Sequence, residues 1–405
     1  MNILMIAPSL PYPPTSGGAL RVYSLLRGLH AAGHRVTLLA LDDSGIDSAR
    51  TELNEVCASI ETFPVPQRSK SQRLKTLLTT TQADLAHRLY SDALGQRLRE
   101  ILRTERFDLI QCEALETACY LPIAKAEQPN AKCCLDTFNA EYQLQRVIAG
   151  IDARELKRWP MAAYSWIQAG RIESYERQMC ALSDIVIAVS PEDADLLRPF
   201  RTDGKIHVLP SAISVDDYAA DLPAINFGTH TLVFTGKMDY RPNVDAALWL
   251  VNDILPLIRQ RVPDVTVALV GQQPSPRLAP LSDIEGVTLT GRVESVVPYL
   301  RGAAVYVAPL RMGSGTRLKL LEAMAAGSPI VATTTAAAGL MPDAKAAMLI
   351  TDGAAAFAEA VIGLLTSPDK RAGMIGAGKT AVRAHYDWSA TAPALLNIYK
   401  EHGLV

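Results

Sequence analysis

The sequence predicts an α/β protein built from two tandem, doubly wound, parallel-sheet domains. Three observations carry that prediction. Short apolar runs alternate with helical stretches from residue 3 onward. The runs are continuously apolar rather than alternating, which suits parallel strands covered on both faces. The alternation stops at a polar, irregular segment over 214–228 and then starts again. A chain of 405 residues is also too long for one ordinary core.

In the first half, residues 3–7 read as a strand that leads into a Pro-rich loop and then Ser16-Gly17-Gly18. A helix over 19–32 follows, with Val22, Leu26 and Leu29 as its apolar stripe and Gly33 as its stop. Further strands are expected at 36–41, 107–112, 132–135 and 184–189, and a short one at 206–209 before Pro210. Residues 152–182 read as mostly helical, interrupted near Pro160. In the second half, strands are expected at 231–234, 265–270, 287–289, 303–307, 330–333 and 348–350, with a helix over 244–261. Right-handed crossovers turn each series into one doubly wound sheet. Ligands of such sheets sit at the carboxyl ends of strands, and a cleft between the two domains is expected. A last helix over 388–402 either caps the second domain or crosses back to the first.

Apolar residues make up 49% of the chain and charged residues 20%, the composition of a globular protein. The formal charge of −2 gives no global field for nucleic acid. The six cysteines show no CxxC pair and no metal-ligand spacing, so a reduced cytoplasmic setting and no metal site are expected. Residues 1–10 are apolar but lack a basic leader and a small-residue cleavage site, and read as a buried strand. No run reaches membrane-spanning length. A basic stretch through Arg68, Lys70, Arg73 and Lys75, with Arg154, Lys157, Arg158 and Trp159, reads as a solvated helix face; peripheral contact with an anionic membrane is the alternative.

The segment 308–333 is the most informative. An apolar run ends in Pro309, a turn of Gly313, Ser314, Gly315 and Thr316 follows, and Arg317, Lys319 and Glu322 open an amphipathic helix. Backbone amides and the helix dipole favour an anion there, and a carboxylate one turn further in suits sugar hydroxyls. A diphosphate site beside a ribose-binding carboxylate is what a nucleotide-sugar donor needs. The competing reading is a surface pair of Lys319 with Glu322, which accounts for neither glycine nor Arg317. Gly236 and Lys237 end a strand, with Arg241 four residues after Lys237, so a cation there either neutralises a leaving diphosphate or is simply solvated. Arg292 and Val293, after Gly291, offer backbone to a base edge or form a plain turn. Gly17 and Gly18 permit close approach of a ligand, or serve only the turn; they lack the GxGxxG spacing of dinucleotide binders. Asp136, Asn139 and Glu141 follow a strand at an expected cleft edge, with helix capping by Asn139 as the alternative. His30, His34, His87, His207, His230 and His385 have no motif context and read as structural or exposed.

At these residues the chain resembles retaining glycosyltransferases of the family 4 type, with two Rossmann-like domains in the GT-B arrangement. Residues 3–40 are similar to the family's first strand, glycine loop and helix, and 176–197 to the end of its first domain. Residues 232–250 are similar to the start of its nucleotide-binding domain, and 308–333 to its signature loop and helix, here with a GxGTRxK loop. The resemblance implies a first, acceptor-side domain over 1–213, a nucleotide-sugar domain over 214–385, and a final helix over 386–405 that crosses back onto the first. It implies that Gly17 and Gly18 bring amides to the donor, that Lys237 neutralises the diphosphate with help from Arg317 and Lys319, and that Glu322 holds the ribose. It implies that Arg292 and Val293 flank the base, and that Gly313 to Thr316 supply amides in place of a glutamate that many relatives carry at the position of Ser314. Where relatives have a histidine in a DxHNxEY segment, this chain has Phe138, and it has Pro210-Ser211-Ala212 in place of a Pro-Asn-Gly.

The expectation is therefore a metal-independent transferase that moves a sugar from a nucleoside-diphosphate sugar, a UDP- or GDP-sugar, to an acceptor hydroxyl with retention. The expected catalytic set is Gly17, Gly18, Asn139, Glu141 and Lys237. The donor set is Gly236, Lys237, Arg241, Arg292, Val293, Gly313, Ser314, Gly315, Thr316, Arg317, Lys319 and Glu322. No cofactor beyond the donor substrate is expected, and the acceptor is a glycan, a lipid-linked saccharide or a small molecule. The rivals are a nucleotide-sugar epimerase of the same fold and a non-catalytic binding partner in polysaccharide assembly. A nicotinamide oxidoreductase would need the glycine fingerprint that is not found.

Overall fold

The computed structural model describes residues 1–14, 16–45, 51–153, 156–219, 223–225, 228–312 and 317–404. The chain divides into two units, Met1–Ala212 with Thr391–Val405, and Ile213–Ala390.

The first unit is wound on a seven-stranded sheet in the order β3-β2-β1-β4-β5-β6-β7. The strands are β1 Asn2–Ala7, β2 Arg35–Leu41, β3 Ser59–Phe63, β4 Leu109–Glu113, β5 Lys132–Asp136, β6 Ile185–Ala188 and β7 His207–Val208. All pair in parallel, with Ile3 opposite Val36 on one side and Leu109 on the other. Successive side chains of β1 point to opposite faces and enter two cores. Leu4 and Ile6 pack with Leu98, Leu121 and Met179; Ile3 and Met5 pack with Val22, Leu26 and Leu29 of the Gly17–Ala31 helix. Leu395, Ile398 and Tyr399 of the Trp388–Glu401 helix complete the second core. There the final helix comes so close that a Cβ on Gly28 would lie 2.7 Å from the Cβ of Ala392.

The second unit has six parallel strands in the order β10-β9-β8-β11-β12-β13. They are β8 Thr231–Thr235, β9 Thr266–Val270, β10 Val287–Leu289, β11 Val305–Ala308, β12 Ile330–Ala332 and β13 Leu349–Ile350. Each unit's first strand is thus central and the sheet grows outward from it in both directions, the doubly wound order.

Three elements differ from the sequence reading. The break in 152–182 falls ahead of Pro160: one helix, Glu141–Asp152, ends, and Pro160 sits in the first turn of the next, Trp159–Leu182, where its missing N–H costs nothing. The stretch 244–261 is helical from Arg241, but passes through a π turn at Leu250–Ile254 before Leu255–Arg259. Pro256 stands in that last helix's first turn, and the wide turn before it absorbs the lost hydrogen bond. The edge strand β3, Ser-Ile-Glu-Thr-Phe, has no continuous apolar run to announce it.

A buried polar chain closes the first unit. The Arg21 guanidinium, 2% exposed, donates through Nε and Nη2 to both oxygens of Asp136 at 3.1 and 2.7 Å. Its Nη1 donates to the Leu209 carbonyl at 2.9 Å. Beside it, Tyr399 donates to Gln111 at 2.5 Å, and Gln111 donates to Glu113 Oε1 at 2.7 Å. Glu113 Oε2 is buried with no hydrogen-bond partner among the described residues. Burial, reinforced by the nearby Asp136 charge and opposed by Arg21, pushes the Glu113 carboxyl up to about 8.

Two outcomes follow. Arg21→Met leaves the Asp136 carboxylate buried and unpaired, and should destabilise the first unit by roughly 3–5 kcal/mol, read as a drop in its calorimetric melting transition; an unchanged transition would refute the pair's role. Glu113 keeps its proton in the folded chain up to about pH 8, whereas the unfolded chain releases it near the ordinary value of 4.5. Its contribution is therefore full below the unfolded value and is lost as pH rises through the folded one. Glu113→Gln should flatten the decline of melting temperature between those limits; equal slopes in the two proteins would show that Glu113 does not titrate in this way.

Candidate functional site

In the second unit, the end of β8 is locked from three sides. Gly236 N donates to the Val270 carbonyl and Met238 N to the Gln272 carbonyl, both at 2.9 Å, so the β8–β9 pairing continues past the strands and sets the Gly236-Lys237-Met238 turn. Only glycine fits at 271. Its φ is +156°, and a Cβ there would lie 1.7 Å from the Gly236 carbonyl oxygen. From the third side, the Lys319 ammonium donates to the Thr235 carbonyl at 2.8 Å and to Asn243 Oδ1 at 2.7 Å, and lies 4.5 Å from the centre of the Phe234 ring. Asn243 in turn donates to the Lys237 carbonyl at 2.9 Å. Burial lowers the Lys319 ammonium to about 7, with Arg317 adding in the same direction and Glu322 opposing.

Lys319 and Glu322 lie on the Leu318–Ala326 helix, whose N-cap is Arg317. They do not form a surface ion pair. Lys319 turns to β8, while Glu322 accepts a hydrogen bond from Tyr218 at 2.9 Å, and burial raises the Glu322 carboxyl above its ordinary range. Tyr218 comes from the short Val215–Ala219 helix. Lys237 is exposed, with Asp239 at 3.4 Å. Arg241 opens the Arg241–Trp249 helix, and Arg292 is exposed and Val293 half-buried in the loop after β10. Gly313, Ser314, Gly315 and Thr316 lie outside the described residues. The structure thus brings Gly236, Lys319, the Lys237 backbone and Asn243 together, with Glu322 one helical turn on.

In the first unit, Ser16 Oγ accepts from Ala19 N at 3.3 Å and caps the helix that Gly17 and Gly18 begin. A Cβ on Gly18 would lie 2.9 Å from the Phe138 ring, so this glycine makes room for that aromatic side chain. Asn139 does not cap a helix. It donates to Glu141 Oε1 at 2.9 Å, while Glu176, from the Trp159–Leu182 helix, accepts from Glu141 N and Tyr142 N at 3.1 and 3.2 Å. Burial and the nearby Glu116 push the Glu141 carboxyl up to about 7, against Asn139 and Arg88. Asp136, expected at a cleft edge, is instead fully buried under Arg21.

Sequence reasoning missed Asn243, Tyr218 and Gly271. The Arg-Pro-Asn at 241–243, with proline in the first helical turn, was a signal for the first; no motif marks the other two.

Residues 15–217 match the model described as Glycosyltransferase Family 4. The chain belongs to glycosyltransferase family 4. Residues 229–367 also match the model described as Glycosyl transferases group 1. A phosphatidyl-myo-inositol mannosyltransferase of Mycobacterium leprae is 30% identical over 203 residues, 47% of this chain and 52% of the relative. The chain spans about half the length of the curated mannosyltransferases it matches. Sucrose-phosphate synthase from Thermosynechococcus elongatus superposes with a TM-score of 0.72 at 18% identity, over 99% of this chain and 98% of that one. Anabaena HepE in complex with UDP and glucose superposes with a TM-score of 0.63 at 12% identity, over 99% and 100%. At these identities the two structures speak to the fold, which is the tandem Rossmann-like GT-B fold of this family member.

Gly271→Ala tests the turn that presents Lys237. The clash is with backbone, which cannot rotate away, so the melting temperature of the second unit should fall by the equivalent of about 1–3 kcal/mol or more. An unchanged melting temperature would mean that the two turns are not held together as described.

Proposed function

We propose that this family 4 member transfers a glycosyl group from a nucleoside-diphosphate sugar to an acceptor hydroxyl, with retention of configuration and without a metal ion. The observation that carries the reading is the convergence at the end of β8: a desolvated ammonium on Lys319, the Gly236-Lys237 turn, and the Glu322 carboxylate one turn further along the same helix. The names of the relatives, a mannosyltransferase and a protein crystallised with UDP and glucose, support a sugar donor carried on a nucleoside diphosphate.

In this reading the second unit binds the donor. Glu322 takes the ribose hydroxyls and displaces Tyr218. Lys237, together with the amides that lead into the Leu318–Ala326 helix, stabilises the diphosphate as it leaves. Lys319 positions the turn and adds its charge. Arg292 and Val293 flank the base. The first unit takes the acceptor, with Glu141, held by Asn139, as its titratable group and the Gly17–Gly18 turn beside it. The acceptor oxygen attacks the anomeric carbon on the face from which the diphosphate leaves. The carbon–oxygen bond to phosphate breaks as the new glycosidic bond forms, and the acceptor proton passes to the departing phosphate oxygen. A non-catalytic member would bind the donor without turning it over.

Isothermal titration with UDP- and GDP-sugars tests the donor site. Lys237→Ala and Glu322→Ala should each weaken donor binding by about tenfold or more, about 1.4 kcal/mol. Wild-type affinity in both variants would remove the site assignment. Transfer should persist in EDTA, and its complete loss there would refute metal independence.

Lys319 gives a separate handle. In the free protein its ammonium titrates near 7, so at pH 8 it is mostly neutral. A bound diphosphate favours the charged form, so binding at pH 8 should take up a proton, while binding well below pH 7 should not. The uptake would appear as a binding enthalpy that depends on the buffer's ionisation enthalpy, and Lys319→Met should abolish it. Buffer-independent enthalpy in the wild-type protein at pH 8 would place the diphosphate away from Lys319.

A further inference from the structure

The second unit opens with a helix of only five residues, Val215–Ala219. A helix this short gains little from its own hydrogen bonds, so its place depends on what it touches. Its start is fixed. Ile213 N donates to the Tyr386 carbonyl at 2.8 Å, Trp388 N to the Ile213 carbonyl at 3.1 Å, and Val215 N to Asp387 Oδ2 at 3.1 Å. Val215 and Asp387 are buried. Past that anchor, side chains hold the helix. Asp216 pairs with Arg383 at 2.9 Å, but the two are 79% and 59% exposed, and such a pair holds weakly. The firmer hold is the hydrogen bond that Tyr218 donates to Glu322 Oε1 at 2.9 Å.

That bond is drawn out of water. Burial raises the Tyr218 hydroxyl, with Glu322 adding in the same direction. Burial also raises the Glu322 carboxyl, with Tyr218 and Lys319 opposing. The carboxylate read above as the ribose ligand is thus closed and satisfied within the free chain. A ribose presents two neighbouring hydroxyls, and such a pair is matched to both oxygens of one carboxylate. Tyr218 and a ribose therefore compete for Glu322 Oε1.

We propose that Val215–Ala219 is a self-occupying strap: in the free chain Tyr218 closes Glu322, and a ribonucleoside diphosphate takes Glu322 from Tyr218 and frees the strap beyond its anchor at 213–215. The proposal rests on the reading of Glu322 as the ribose ligand and adds a regulation to that site. Donor affinity is then set by competition within the chain as well as by contacts to the donor. Only the fraction of chains with the strap released binds, so the apparent affinity is lowered by that fraction. Removing the tyrosine hydroxyl should tighten binding, the opposite of what removing a ligand contact does.

Isothermal titration of the full chain with UDP and with GDP is the first test. It is run at pH 8 to keep Glu322 ionised, because Tyr218 holds that carboxyl down and the variant loses the hydroxyl. Tyr218→Phe should bind whichever diphosphate the wild-type chain takes about threefold to tenfold more tightly, the weight of one hydrogen bond to a charged acceptor. The 2′,3′-dideoxy form of that diphosphate has no hydroxyls to offer Glu322, and its affinity should be equal in the two proteins. Hydrogen exchange over 215–219 is the second test. Saturating diphosphate should speed it about fivefold or more in the wild-type chain, and Glu322→Ala should speed it with no nucleotide present. Tyr218→Phe that binds no tighter, equal tightening of the dideoxy form, or a diphosphate that slows exchange over 215–219 would overturn the proposal. Glu322→Ala then separates the two readings: a tenfold loss of affinity keeps Glu322 at the ribose and removes only the strap, whereas wild-type affinity removes both.

Discussion

The second unit is organised around an ammonium group drawn out of water. Lys319 Nζ satisfies the last carbonyl of β8 and the Asn243 side chain at once, and Asn243 holds the carbonyl of Lys237. A strand end, the start of one helix and the start of another are thereby fixed to a single point. A neutral side chain of the same length would fill the space but leave the Thr235 carbonyl and Asn243 Oδ1 without a shared donor. The desolvation that brings its pKa down to about 7 is the cost of that geometry. It leaves Lys319 with a charge that responds to its surroundings near neutral pH.

The first unit solves the same problem with a bidentate pair. Arg21 reaches from the Gly17–Ala31 helix to Asp136 at the end of β5 and to the carbonyl of Leu209, so one guanidinium ties the first helix to the far half of the sheet. An arginine suits this place better than a lysine, because its planar fork meets both carboxylate oxygens while a third N–H serves the backbone. The Tyr399–Gln111–Glu113 chain next to it extends the polar core to the final helix. Glu113 lies within the field of Asp136 and is fully buried, so the core is satisfied best when that carboxyl keeps its proton.

The fold was legible because its signals are local. Continuous apolar runs such as Ile3–Ile6 and Leu232–Phe234, spaced by helical stretches, need no partner information to be recognised, and both become central strands. Glu322 and Lys319 stood out in the sequence from their place behind a glycine turn, but their contacts did not, because a helix pattern does not say which neighbour a side chain turns toward. Lys319 turns to β8 and Glu322 to Tyr218, partners 84 and 104 residues distant in sequence. Asp136 misled for the same reason. Its position after a strand reads as a ligand-facing carboxylate, and only the fold reveals Arg21 on top of it, 115 residues away. Gly271 was invisible because its necessity comes from the Gly236 carbonyl of another strand's turn. The exposed side of the Trp159–Leu182 helix, at Trp159, Trp166 and Ile167, was half visible. Its apolar residues were plain, but a helix with apolar residues all round looks like a buried one until the fold shows which face the core takes.

These assignments bear on which first-unit carboxylate is available for chemistry. Asp136 and Glu141 are five positions apart, and both follow a strand whose end faces the ligand side in a doubly wound sheet. Asp136 has both oxygens committed to Arg21 and no surface. Using it as a base or a hydrogen-bond acceptor for substrate would require breaking a buried ion pair. Glu141 has one oxygen held by Asn139 and retains some exposure, and its backbone is fixed by Glu176. With its carboxyl pushed up to about 7, it exists near neutral pH as a mixture of acid and base, able to accept from an acceptor hydroxyl in one form and to donate in the other. Phe138 adds no titratable group, and its ring fills the space over Gly18. Of the two, Glu141 is therefore the carboxylate that could meet a substrate without breaking a buried ion pair, while Arg21 with Asp136 holds the frame in which Glu141 stands.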